Sequence, residues 1–124
     1  MLRCAFALFV TLAAALPAQA QRLFQGNALR GELVVTQPPE ARLNGKPVRL
    51  SPGARIRNTQ NMIQLSGSLV GQTLAVNYSL DGAGELREVW ILTEAELAKK
   101  PWPTTAEQAQ TWVFDGTMQR WSKP

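Results

Sequence analysis

With 124 residues, 13 basic against 9 acidic side chains and no histidine, the chain has room for one modest core, and imidazole-based general acid–base catalysis is closed to it. Its single cysteine, Cys4, leaves no intrachain disulfide, so the fold rests on packing. A net charge of +4 is ordinary for a soluble protein and does not by itself point to a polyanionic partner.

Residues 1–20 read as a cleavable signal peptide. Arg3 supplies a positive start, residues 5–16 are apolar or small apart from Thr11, and Pro17 with Ala18-Gln19-Ala20 supplies a helix breaker and a small-x-small cleavage site. The apolar run falls short of the ~20 residues that span a bilayer. Cys4 precedes that run, which does not fit a lipid-modified cysteine. No later stretch is long and apolar enough to cross a membrane. The expected destination is the periplasm, with secretion as the alternative.

Residues 21–30 have no clear period and are expected to form an N-terminal arm, with Leu23 and Phe24 as its anchors. Residues 31–37 suit a first strand, stopped by Pro38-Pro39. Asn44-Gly45 is the strongest local signal, because a two-residue type I′ hairpin needs two positions tolerant of positive φ. That turn sets Leu43 opposite Lys46, Arg42 opposite Pro47, Ala41 opposite Val48 and Glu40 opposite Arg49. Ala41, Leu43, Val48 and Leu50 then share one face, and Glu40, Arg42 and Arg49 the other. Pro47 marks this strand as an edge. Ser51-Pro52-Gly53 reads as a turn, after which Ala54 and Ile56 point one way and Arg55 and Arg57 the other. A polar turn at residues 58–61 precedes a short strand at 62–65, with Ile63 and Leu65 inward.

Residues 54–92 are the organising stretch, and 73–80 its clearest part. Leu74, Val76, Tyr78 and Leu80 alternate there with Thr73, Ala75, Asn77 and Ser79. Asp81-Gly82-Ala83-Gly84 turns the chain, and residues 85–92 return. The return strand breaks alternation. Either a bulge at Arg87-Glu88 shifts its phase, or residues 89–92 are covered on both faces. Thr93 and Glu96 form a capping box for a helix over 94–100, with Lys99 and Lys100 at its C-terminal end and Pro101 as its stop. Thr104 with Glu107 starts a second short helix, and residues 112–114 and 118–121 suit a closing hairpin around Asp115-Gly116. The expected architecture is mainly β: a small antiparallel β-barrel or sandwich of about six short strands over residues 31–92. Residues 93–124 form a helical and aromatic cap of the same domain.

Asn-Gly-Lys at 44–46, Arg49-Leu50, Pro52-Gly53, Ile56-Arg57, Val89-Trp90-Ile91-Leu92-Thr93 and Pro101-Trp102-Pro103 together resemble a group of short exported proteobacterial proteins of uncharacterised function. The resemblance covers nearly all of the chain after residue 20. It implies export and a single domain, and brings no activity, ligand or catalytic residue with it.

Without histidine, and without cysteine after cleavage, the Ser-His-Asp and Cys-His nucleophilic sites and the usual zinc and haem ligand sets are missing. No catalytic residue, metal or cofactor is therefore expected. Asp81 and Asp115 precede glycines in turns, where a structural role suffices. Glu85 and Glu88 fit a solvated face better than a glycosidase pair. Ser51 and Ser66 have no lysine at motif spacing, and Gly82-x-Gly84 lacks the third glycine of a dinucleotide loop.

Two surfaces remain as candidates. Arg42, Arg49, Arg55 and Arg57 lie on outward strand positions in a stretch without acids, while Glu85, Glu88, Glu94 and Glu96 cluster later with only Arg87 opposing. If both face solvent, the molecule has a basic and an acidic side. The arginines suit a docking surface for an anionic envelope polymer, a lipid headgroup or an acidic protein patch. The plainer account is a solvated face that protects an edge strand. Export argues against nucleic acid. Trp102, Trp112 and Trp121, beside Phe114 and Trp90, suit either an aromatic recognition surface or closure of the core. The function expected is a non-enzymatic binding or accessory module of the envelope. The competing class is an assembly protein that self-associates through its Pro47-bearing edge, with a small hydrolase third.

Overall fold

A computed structural model describes residues 22–124; the signal peptide expected over residues 1–20 lies outside the described residues. Five strands, β1 (Leu29–Gln37), β2 (Glu40–Leu43), β3 (Lys46–Arg57), β4 (Thr73–Leu80) and β5 (Leu86–Ile91), form one mixed sheet. Their order is β1-β2-β3-β5-β4, and β4 returns to pair with β1. Every pair is antiparallel except β3 with β5, which is parallel. The mainly β expectation holds. The expected six antiparallel strands are corrected to five in a mixed sheet.

The lost strand is 62–65. Asn61 adopts a positive φ of 62°, and the Asn58 side chain accepts hydrogen bonds from the amides of Gln60 and Met62, which winds residues 58–62 into a tight turn. A 3₁₀ turn over Ser66–Leu69 begins directly afterwards. Only a single bridge between Arg57 and Ile63 fits in between. Ile63 and Leu65 are 59 % and 78 % exposed, outward where an inward orientation was expected.

The Asn44-Gly45 hairpin forms with φ of 53° and 78° and with the expected register, from Leu43 opposite Lys46 to Glu40 opposite Arg49. Pro47 does not mark an edge strand, however. β3 lies between β2 and β5, and Pro47 falls ahead of the first β5 pair, Leu50 with Leu86. Ser51-Pro52-Gly53 is no turn either: the strand runs through it, paired with neither neighbour. From Leu50 to Arg55 β3 advances five residues while β5 advances two, from Leu86 to Glu88.

β5 shows both features offered for it. Ser79 faces Glu88 and Leu80 faces Leu86, so Arg87 is the extra residue of a bulge. Beyond it Val89 and Ile91 pack into the sheet's interior cluster, and Trp90 and Leu92 into a second cluster on the outer face. The interior is built on Leu33, Val35, Val76, Leu86 and Val89, joined by Leu74 and Tyr78.

The second cluster joins the arm to the C-terminal segment: Phe24, Ala28, Leu92, Trp102 and Trp121, with Trp90 and Phe114 against them. Of the two expected anchors Phe24 is buried and Leu23 is exposed. Thr93 and Glu96 close a capping box on α1 (Glu94–Leu97), which stops after one turn, short of the expected residue 100. Arg30 takes its exit, donating to the carbonyls of Glu96 and Lys99. α2 (Ala106–Thr111) is capped by Thr105, whose hydroxyl accepts from the Gln108 amide, one residue later than expected. β6 (Val113–Asp115) and β7 (Arg120–Ser122) make the terminal hairpin.

Candidate functional site

The parallel β3–β5 pairing decides what becomes of the arginine row. Arg42, Arg49 and Arg55 are exposed and Arg57 is half-buried. β5 brings one of the acids alongside them, Glu88, in register with Arg55. Arg49 sits between two carboxylates, 3.8 Å from Glu40 and 4.0 Å from Glu85. Basic and acidic residues therefore interleave, and the expected separation into a basic and an acidic side is not found. Ion pairs this exposed contribute about 0–1 kcal/mol.

The tryptophans do not form an aromatic surface. Trp102 and Trp121 are each 5 % exposed, and their rings meet edge to face at 6.1 Å. Phe24 lies edge-on to Trp90 and Trp102 at 5.5 and 5.8 Å, and Phe114 stacks on Trp121 at 4.8 Å. The Trp102 indole N–H donates to the Ala28 carbonyl at 2.9 Å. Trp112, like Trp90, is half-exposed, with the Lys123 ammonium 5.3 Å above its ring. An edge of a 13.6 kDa protein that gathers this much aromatic area closes a core with it.

Buried charge frames that core. Arg22 forms a paired contact with the Glu96 carboxylate and also donates to the carbonyls of Asn58 and Ile91. Burial pushes the Glu96 carboxyl up, but hydrogen bonds from Arg22 and the Thr93 amide, with the Arg22 charge, outweigh it and hold the group below its ordinary value. Arg30 lies 4.8 Å from the Trp102 ring and donates to Asn77, a fully buried side chain. Burial pushes the Arg30 guanidinium down, with Glu96 opposing. Every member of this network faces protein, so its role is to hold arm, sheet and cap together.

What the surface does offer is a cleft of about 580 Å³ beside β3. Its floor is Leu50, Pro52, Ala54 and Ile56; Pro38 and Pro39 of the β1–β2 turn form one wall, and residues 63–66 the other. It exists because β3 outruns its partners. β2 ends at Glu40, opposite Arg49, and the last bond on that edge runs from the Leu50 amide to the Pro39 carbonyl. The next is from the Gln64 amide to the Ile56 carbonyl. Residues 51–54 between them pair with no strand. Exposed Ile63 and Leu65 stand along the far wall, with exposed Met62 just before them in the chain, a concentration of apolar surface beside an open backbone.

Of the sequence-derived candidates only Arg49 lines this cleft, together with Glu85 at its mouth. The prolines and Ile63 and Leu65 were not recognisable as site residues. Their signal was the apolar group 62–65 between two polar turns, and the same signal fits an ordinary buried strand. Among the described residues no helix is long and apolar enough to cross a membrane. Compared with known proteins, the sequence matches no family model, and no curated protein or solved structure matches it.

Proposed function

We propose that this chain is a non-enzymatic binding module of the cell envelope, a small barrel that holds an extended polypeptide segment in the cleft beside β3. The observation that carries the reading is the unpaired run of β3 at residues 51–54, flanked on the same edge by the Pro39 and Gln64 bonds. An extended backbone completes such an edge by strand addition, while side-chain pockets on either side supply selectivity. The circuit β1-β2-β3-β5-β4 closing on β1 supports the barrel.

The chemistry of the walls favours a peptide over other polymers. Glycan and single-stranded nucleic acid sites stack rings on exposed aromatic side chains, and no aromatic residue lines the cleft. Its one arginine, Arg49, is already shared between Glu40 and Glu85. Apolar prolines and branched side chains suit alternate side chains of an added strand. Export to the envelope rests on the composition of residues 1–20.

A displayed library of short random peptides, selected against the purified protein, tests the reading. Enriched peptides are expected to lose binding to Ile63→Glu/Leu65→Glu, a double change at exposed positions that leaves the unfolding free energy within about 0.5 kcal/mol of the parent. Failure to enrich any peptide, or enrichment indifferent to the double change, overturns it. Turnover of a substrate by the purified protein overturns the non-enzymatic part.

A further inference from the structure

A second opening, of about 540 Å³, lies where the exit of α1 meets the β6–β7 turn, and it shares no lining residue with the β3 cleft. Residues 98–101 form one side and residues 117–120 the other. Lys99, Lys100 and Arg120 line it, with the Thr117 hydroxyl, and no carboxylate does. Among the described residues none of these three cations makes an ion pair. This contrasts with Arg22, bound to Glu96, and Arg49, set between two glutamates.

Two nearby acids and one helix end work against an anion here, and each is already occupied. Glu96 is taken up by Arg22. Asp115 stands in register with Arg120 across the hairpin, but its Oδ1 is turned onto the amides of Thr117 and Met118 at 3.0 and 3.1 Å. The end of α1 presents carbonyls of partial negative charge; those of Glu96 and Lys99 accept from Arg30 at 3.1 and 2.7 Å. Arg30 therefore offsets, by these two bonds, the partial negative charge that would repel an anion.

We infer that this opening is an anion site for a phosphomonoester group, approached by Lys99, Lys100 and Arg120. Two ammonium groups and a guanidinium offer charge-assisted donors to several oxygens of one doubly charged group. The volume exceeds that of bare phosphate, which suits a phosphate carried on a small polar body such as a sugar or a lipid headgroup.

Titration calorimetry of the protein with glucose 1-phosphate, and flotation with phosphatidylcholine vesicles with and without phosphatidic acid, test the site. The triple change Lys99→Gln/Lys100→Gln/Arg120→Gln is expected to weaken binding at least about tenfold. The matched change Arg42→Gln/Lys46→Gln/Arg55→Gln, which removes the same charge elsewhere, is expected to weaken it less than about twofold. Binding of the sugar phosphate alone assigns a soluble ligand, and capture by phosphatidic acid vesicles assigns a headgroup; either supports the site when only the first triple abolishes it. Equal loss in both triples shows general electrostatics and overturns the inference. So does absence of binding to both probes at millimolar concentration while thermal unfolding shows the parent intact.

Discussion

Glu96 shows how one side chain serves two levels of structure. It completes the capping box of α1 by accepting from the Thr93 amide at 2.9 Å, and it holds Arg22 of the arm from a position 74 residues away in sequence. Its folded carboxyl is held below its ordinary value of 4.5. A group whose folded value is depressed stabilises the fold fully above its unfolded value, and that contribution is lost as the pH falls through the folded one. Stability is therefore expected to decline on acidification below about pH 4.5. Glu96→Gln, which retains the acceptor oxygen but not the charge, should lower stability at neutral pH and flatten that acid limb. Parallel acid limbs for parent and variant in urea titrations at several pH values would show that Glu96 is not the group responsible.

At the scale of elements, the arm buries one residue of a Leu-Phe dipeptide in addition to its Arg22 bonds. Phe24 is buried among Trp90, Trp102 and Arg22, and its backbone exchanges two hydrogen bonds with the buried Gln119 amide at 2.8 and 3.1 Å. Leu23 beside it is exposed. Phe24→Ala should cost about 3–5 kcal/mol, the range for emptying a buried aromatic site, whereas Leu23→Ala should stay within about 0.5 kcal/mol. Equal midpoints in denaturant for the two variants would mean that the arm is not docked. The sequence distinguished neither partner, since nothing local separates an inward Phe from an inward Leu. The Asn44-Gly45 hairpin was legible to the residue because its turn geometry is set by the two residues that make it. The bulge at Arg87 was legible because a phase change leaves its mark in the alternation itself.

On the scale of the whole molecule, what escaped local reading was decided by distant pairing. Nothing near residue 50 announces that β3 will lie parallel to β5, yet that pairing sets Glu88 in register with Arg55 and so brings an acid into the arginine row. It also leaves residues 51–54 unpaired and so makes the β3 cleft, which is why the site was less legible than the fold. Asn77 likewise reads as a solvent-facing polar residue of an alternating strand and is fully buried, because Arg30 and the segment after α1 cover it.

The C-terminal segment is the strongest case of this dependence. Trp102 receives Phe24 from the arm, bonds the Ala28 carbonyl and carries the Arg30 guanidinium on its ring. Trp121 closes the same cluster from the last strand. Truncation after Thr93 would strip that cover from Phe24, Trp90 and Leu92 and leave Asn77 and Arg30 without their enclosure. Each large apolar side chain returned to water forfeits about 1.5–3 kcal/mol, against a total stability of about 5–15 kcal/mol for a domain. The truncated chain is therefore expected to lose its cooperative unfolding transition by near-ultraviolet circular dichroism and calorimetry. A sharp, reversible transition in the shortened chain would show that the sheet sustains itself, and would return the tryptophans to the list of surfaces free to bind.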